Sequence, residues 1–139
     1  MAFVSFFIVA LAGCGAKDVG PPVVQVKGQI SFEGRPIPGA IVTLHPVSSS
    51  PGDTAKSSFV VTPFGIVDHD GSFQLTTRQP SDGAPEGEYH VTVSWPTKGS
   101  DSDYTYEQLP PKYQVAQSSG LKLRVASGQR ELDPLTLTR

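Results

Sequence analysis

Along residues 88–95, large apolar side chains occupy every second position: Tyr89, Val91, Val93 and Trp95 alternate with Glu88, His90, Thr92 and Ser94. Successive side chains of an extended chain point to opposite faces, so a period of two with one apolar face predicts a half-buried β-strand. The same alternation runs through Val24, Val26, Gly28, Ile30 and Phe32, with Gln25, Lys27, Gln29, Ser31 and Glu33 opposite. A further strand is expected to turn Ala40, Val42 and Leu44 inward and Ile41, Thr43 and His45 outward. Phe73 with Leu75, then Leu121, Leu123 and Val125, then Leu135 with Leu137 repeat the pattern, and weaker strand signals lie at 59–62 and around Ile66 and Val67.

Turns separate these runs. The chain holds 13 Pro and 14 Gly among 139 residues, and they cluster between the alternating stretches, as in Gly34-Arg35-Pro36-Ile37-Pro38-Gly39, Asp68-His69-Asp70-Gly71 and residues 79–87. Gly39 and Gly71 stand where turns require a positive φ, while Pro36 and Pro38 stiffen their connection. No helix of note and no internal repeat is expected. The prediction is an all-β domain: a two-layer antiparallel Greek-key β-sandwich of about seven strands. A chain of this length buries roughly two thirds of its unfolded surface and needs neither disulfide nor metal to fold.

Eleven basic and 13 acidic residues give a net charge of −2. The basic residues are scattered, without the run or stripe that tracks a phosphate backbone, so nucleic acid is excluded as a partner. The N-terminus carries a different message. Residues 1–13 are uncharged and mostly apolar, too short to cross a bilayer as a helix but suited to the hydrophobic region of an export signal. They end in Leu11-Ala12-Gly13-Cys14, which resembles the lipobox of bacterial lipoproteins, and Cys14 is the chain's one cysteine. In that family the thiol receives a diacylglyceryl group, the preceding peptide bond is cut and the new N-terminus is usually acylated. Family signals normally begin with Lys or Arg, and none precedes Lys17 here; either the true start lies upstream of Met1 or export is inefficient. Two or three acyl chains give stable anchoring where one does not. Gly15 stands where Asp would signal inner-membrane retention, so the resemblance favours the outer membrane. Residues 15–22 then form a tether spanning roughly 15 Å as a flexible coil and at most about 26 Å extended.

The body resembles a second family. Val26-Lys27-Gly28-Gln29-Ile30 with Gly34-Arg35-Pro36-Ile37-Pro38-Gly39-Ala40-Ile41-Val42 is similar to the opening of carboxypeptidase regulatory-like domains, which share a transthyretin-like sandwich. Val67-Asp68-His69-Asp70-Gly71-Ser72-Phe73-Gln74-Leu75 and Gly83-Ala84-Pro85-Glu86-Gly87-Glu88-Tyr89-His90-Val91-Thr92-Val93 resemble its next hairpin and strand. The tail, with Leu109-Pro110-Pro111-Lys112-Tyr113 and Ser118-Ser119-Gly120-Leu121, resembles the version found in planctomycete lipoproteins. The resemblance implies an accessory or surface module without catalytic residues, organised as signal peptide (1–13), lipidated cysteine and tether (14–22), and sandwich (23–139).

Several constellations bear on chemistry. Asp68 and Asp70 before Gly71 are weak candidates for a calcium site, since Ser72, Gln74 and Thr76 follow at alternate positions and no Glu closes the loop at Gln79. Asp also closes such turns by bonding nearby backbone, which is the favoured reading. His45, His69 and His90 lack metal-ligand spacing, and His45 and His90 are expected on solvated strand faces. No Gly-x-Ser-x-Gly elbow is present. The transthyretin-like hydrolase of hydroxyisourate ends Tyr-Arg-Gly-Ser, whereas this chain reads Leu137-Thr138-Arg139. No enzyme and no cofactor are expected.

Residues 97–120 show no clear periodicity, which in a compact domain marks a functional or flexible segment. They hold Asp101, Asp103, Tyr104, Tyr106, Glu107 and Tyr113. Tyr104 and Tyr106 are candidate ligand-binding residues, able to stack on a sugar or peptide. Leu109 and Tyr113 are expected to pin the segment across a sheet edge. The expected function is therefore a lipid-anchored structural or interaction module of the cell envelope, exposed to periplasm or cell surface, with an envelope protein or glycan as partner. The alternative is a ligand-binding protein that uses the 97–120 loop.

Overall fold

The structure, a computed structural model, describes residues 20–47, 61–98 and 105–139. Cys14, residues 1–13, most of the tether, Asp101, Asp103 and Tyr104 lie outside them. Twelve strand segments follow in order among the described residues: β1 (Val23–Val24), β2 (Lys27–Phe32), β3 (Arg35–Pro36), β4 (Ile41–Pro46), β5 (Phe64–Ile66), β6 (Ser72–Gln74), β7 (Ala84–Pro85), β8 (Gly87–Ser94), β9 (Pro96–Lys98), β10 (Thr105–Glu107), β11 (Lys122–Val125) and β12 (Leu135–Leu137). The count exceeds the expected seven because several segments are only two or three residues long, below the length at which alternation can be read.

Two four-stranded sheets make the sandwich. One runs β11-β8-β4-β5; the other runs β12-β2-β3, with β6 also paired to β2. In the first sheet Val42 stands opposite Val93 and Leu44 opposite Val91, so the alternation read from the sequence lands on one inner face. Val42, Leu44, Val91, Val93, Leu123 and Val125 from this sheet join Ile30, Leu135 and Leu137 from the other, with Val26 just before β2, in a single buried cluster. Each such side chain contributes about 1.5–3 kcal/mol on burial. Phe73 sits at the middle of the cluster, 1% exposed. It fits because Gly28 faces it: a Cβ at Gly28 would lie 2.2 Å from the ring's Cζ.

The predicted turns form as expected. Gly39 and Gly71 adopt φ of 80° and 84°. Asp70 closes its turn by accepting from the Ser72 amide and hydroxyl at 3.0 and 2.6 Å.

Three features differ from the sequence expectation. First, β12 pairs with β2 in parallel, Leu135 beside Ile30 and Leu137 beside Phe32. A period of two reports which face a residue occupies and is blind to strand direction, so the purely antiparallel expectation is corrected here. Second, Val61 and Thr62 are not in a strand; residues 59 and 60 lie outside the described set. The strand comes at β5, where Phe64 and Ile66 are exposed and Gly65 is buried, an inverted pattern that apolar alternation misreads. Third, the aperiodic 97–120 stretch contains the β9–β10 hairpin, with Tyr106 opposite Thr97, and a 3₁₀ turn at Pro111–Gln114.

The molecule has two distinct ends. The chain enters at β1, which pairs with β7, Val24 opposite Ala84. From there β2 carries the backbone roughly 17 Å, at about 3.3 Å per residue, from Lys27 to Phe32. The β2–β3 hairpin, the end of β8 and the residues after β12 lie at that far end.

Candidate functional site

At the far end, β2 and β3 are joined by the two-residue turn Glu33-Gly34, both at positive φ (50° and 76°). This is the geometry of the type I′ hairpin turn, whose twist matches the flanking strands. The turn places Phe32 on one side and Arg35 on the other. Trp95 follows the last residue of β8 and is held there by its indole N–H, which donates to the Pro38 carbonyl at 3.0 Å. Beyond β12 the chain runs alongside the turn: the Glu33 amide donates to the Leu137 carbonyl at 2.9 Å, and the Arg139 amide donates to Glu33 Oε1 at 2.8 Å.

These elements enclose a cleft of about 410 Å³ lined by Phe32, Glu33, Arg35, Ile37, Trp95 and Arg139, with Pro36 in its wall. Clefts that take small ligands run from roughly 300 to 1,000 Å³ and combine apolar lining with a few polar groups. Phe32 and Trp95 are half-buried and pack against the core cluster, so their positions are fixed. Among the described residues, no side-chain partner engages the guanidinium of Arg35 or of Arg139. The one carboxylate in the lining, Glu33, is already accepting from a backbone amide.

Behind Trp95 stands Glu107. Its carboxylate accepts from the Ser94 hydroxyl (2.7 Å) and from the amides of Trp95 (2.8 Å) and Leu109 (3.0 Å). Burial pushes this carboxyl up, but those bonds outweigh it and hold the group below its ordinary value. Glu107 thus fastens the β9–β10 hairpin to the end of β8. Tyr106, its neighbour, is 59% exposed, as a contact residue would be. Tyr104, the other candidate, lies outside the described residues.

Leu109 and Tyr113 are buried, as expected, although their role is larger than covering an edge. Tyr113 belongs to the core cluster, and its hydroxyl donates to the Thr138 carbonyl at 2.8 Å while accepting from the Thr138 amide at 2.9 Å. The 3₁₀ turn packs against β8, so Tyr113 ties one sheet to the terminal residues of the other and supports Arg139.

The remaining candidates are structural. Asp70 is held below its ordinary pKa, first by the Ser72 hydroxyl and then by the Ser72 amide. The Asp68 amide donates to the Ser72 carbonyl at 2.8 Å, which completes the turn. His45 and His90 are half-buried rather than freely solvated: they stand opposite each other across β4 and β8, with His45 Nε2 at 2.9 Å from Thr92 Oγ1. Among the described residues, no three His, Cys, Asp or Glu side chains converge on a point that could hold a metal ion. No helix among them is long and apolar enough to cross a membrane.

Sequence reading placed Phe32 and Trp95 on the core face and missed the cleft. The signal was their position: Phe32 ends β2 and Trp95 directly follows β8, each the last inward residue of its alternating run. Arg35 beside a hairpin turn was the second clue.

No family model matches the chain, and no curated protein matches it. Among solved structures the chain is similar to a "putative carbohydrate binding protein" from Pseudomonas aeruginosa, at 16% identity over 84% of this chain and 92% of that one, with a TM-score of 0.37.

Proposed function

We propose that the chain is a lipid-anchored, non-catalytic module of the cell envelope that acts by binding a ligand in the Trp95 cleft. The observation that carries this reading is the cleft itself: fixed aromatic surfaces and unpaired guanidiniums at one end of the sandwich. Its position supports the reading too. The described chain begins at Gly20, close to β1 at the opposite end, so a lipid on Cys14 would join the body at the end away from the cleft. The polar side chains examined for chemistry, Asp70, Asp82 and Glu107, are each committed to backbone amides. That commitment suits a scaffold and leaves none of the three free as a base.

The anchor is tested by growing cells with labelled palmitate. Label is expected on the natural chain and absent after Cys14→Ser; equal labelling of both would remove the anchor from this account. The binding role is tested by probing glycan and peptide arrays with the lipid-free body beside a Trp95→Phe variant of matched melting temperature. Binding weakened by Trp95→Phe supports the cleft, whereas binding that survives it unchanged refutes the cleft. An array on which nothing binds returns the chain to a purely structural role.

A further inference from the structure

We infer that the ligand of the Trp95 cleft is a carboxylated saccharide, its acid group received by Arg35 and Arg139 and its ring laid against Trp95 and Phe32. This rests on the binding role proposed above and names the ligand class.

The acid group follows from the two arginines. A guanidinium presents its donors as a planar fork that matches a carboxylate with two parallel hydrogen bonds. Asp82, Glu107 and Tyr113 are spent on neighbouring backbone. Arg35 and Arg139 line one cleft, and no described side chain or carbonyl uses their donors. Glu33 also faces the cleft, but one of its oxygens is already tied to the Arg139 amide. Among the lining side chains there are therefore two free guanidiniums and one engaged carboxylate.

The ring follows from the aromatics. The one polar atom of Trp95 is bound to Pro38, so what Trp95 offers the cleft is ring surface. Phe32 adds a second apolar surface, and Pro36 and Ile37 complete the apolar lining. A pyranose carries C–H bonds on one face and hydroxyls round its rim, and the C–H face packs on an aromatic plane while the rim stays wet. Trp and Phe lose little entropy in such a contact because each has only two side-chain torsions. A uronic acid joins both chemistries in one residue, with its carboxylate at the edge of the ring, and the cleft of about 410 Å³ suits one or two such residues.

Trp95 is the only tryptophan in the chain, so its emission reports on the cleft directly. The experiment titrates oligogalacturonate, and separately its methyl ester, into the full lipid-bearing chain held in detergent micelles. The acid is expected to shift Trp95 emission saturably and the ester to bind about tenfold or more weakly, as loss of charge-assisted bonds implies. Arg35→Gln and Arg139→Gln are each expected to weaken the acid about tenfold, added salt to weaken it further, and Glu33→Gln to strengthen it. If ester and acid bind alike and both shift Trp95, the carboxylate assignment is overturned while the cleft remains a binding site. If the acid binds without moving Trp95 emission or feeling the arginine changes, the cleft reading itself is overturned. If neither ligand binds, the uronate assignment is wrong.

Discussion

The two ends of the sandwich are made from similar residues and use them in opposite ways. Where the chain enters, the loop is built by side chains that bond the backbone around them. Asp82 takes the amides of Thr77, Arg78 and Gln79 at 2.7, 3.1 and 3.1 Å. Thr77 donates to the Gly83 carbonyl, Gln25 to the Ser81 carbonyl and Tyr89 to the Pro85 carbonyl. At the far end, Trp95 and Glu107 hold the frame in the same manner, but Arg35 and Arg139 are left over. Lys27 and Arg130 are left over at the entry end as well, but the cleft they line with Gln25, Val26 and Gln74 has no aromatic wall. The far end sets its spare cations beside Trp95 and Phe32.

That contrast predicts a graded series of effects. The largest belongs to the entry end: Asp82→Ala leaves three amides without their acceptor and should cost about 2–3 kcal/mol, moderated because water reaches the loop. Urea unfolding measures it, and a cost under about 0.5 kcal/mol would mean that the carboxylate does not organise this end. Next comes the support beneath the cleft. Tyr113→Phe removes both bonds to Thr138 and should cost about 1–2 kcal/mol, with a loss of ligand affinity through the loosened Arg139; unchanged affinity would separate the support from the cleft.

Acid should act at both ends. Asp70, Asp82 and Glu107 have folded-state pKa values below their ordinary ones: Asp70 through the Ser72 hydroxyl and amide, Asp82 because bonds from backbone amides outweigh burial, and Glu107 because bonds from the Ser94 hydroxyl and backbone amides do so. A depressed carboxylate stabilises the folded chain above its unfolded pKa, and that contribution is lost as pH falls through the folded value. Stability should thus decline as the medium is acidified through the carboxylate range and stay level above it. A melting temperature flat to low pH would contradict the assigned bonds. The smallest effect on stability is expected at Arg35: Arg35→Gln should leave unfolding within about 0.5 kcal/mol of the natural chain, since nothing in the fold uses that guanidinium. A larger loss would show that the arginine serves the fold.

The sequence revealed the parts of this molecule whose physics is local. Alternation reports the pleat itself: β8 and β2 stand where it put them, although the run read from Val24 to Phe32 is broken at Gln25 and Val26, with β1 pairing separately with β7. Asp70 before Gly71 and Ser72 is a turn whose bonds span two residues, so it too was legible. Burial of Leu109 and Tyr113 followed from their apolar bulk beside two prolines. What escaped depends on partners far apart in the chain. Parallel pairing of β12 with β2 joins residues about a hundred positions apart, and β5 puts Phe64 and Ile66 outward because its inner position faces the backbone of β6 through Gly65. The cleft is the extreme case: its walls come from the β2–β3 hairpin, the end of β8 and the residue two beyond β12, and only the completed sandwich brings them together.

Collisional quenching of Trp95, with the chain bound to vesicles through the lipid proposed at Cys14, tests this account most directly. Relative to a free tryptophan amide, a half-buried aromatic flanked by two free guanidiniums should be quenched by iodide more strongly than by caesium, because the cations concentrate one ion and repel the other. The preference should shrink in Arg35→Gln and Arg139→Gln, and quenchers carried on lipid tails should have no effect. Equal quenching by iodide and caesium, or strong quenching from the lipid, would contradict an open cationic cleft held away from the membrane.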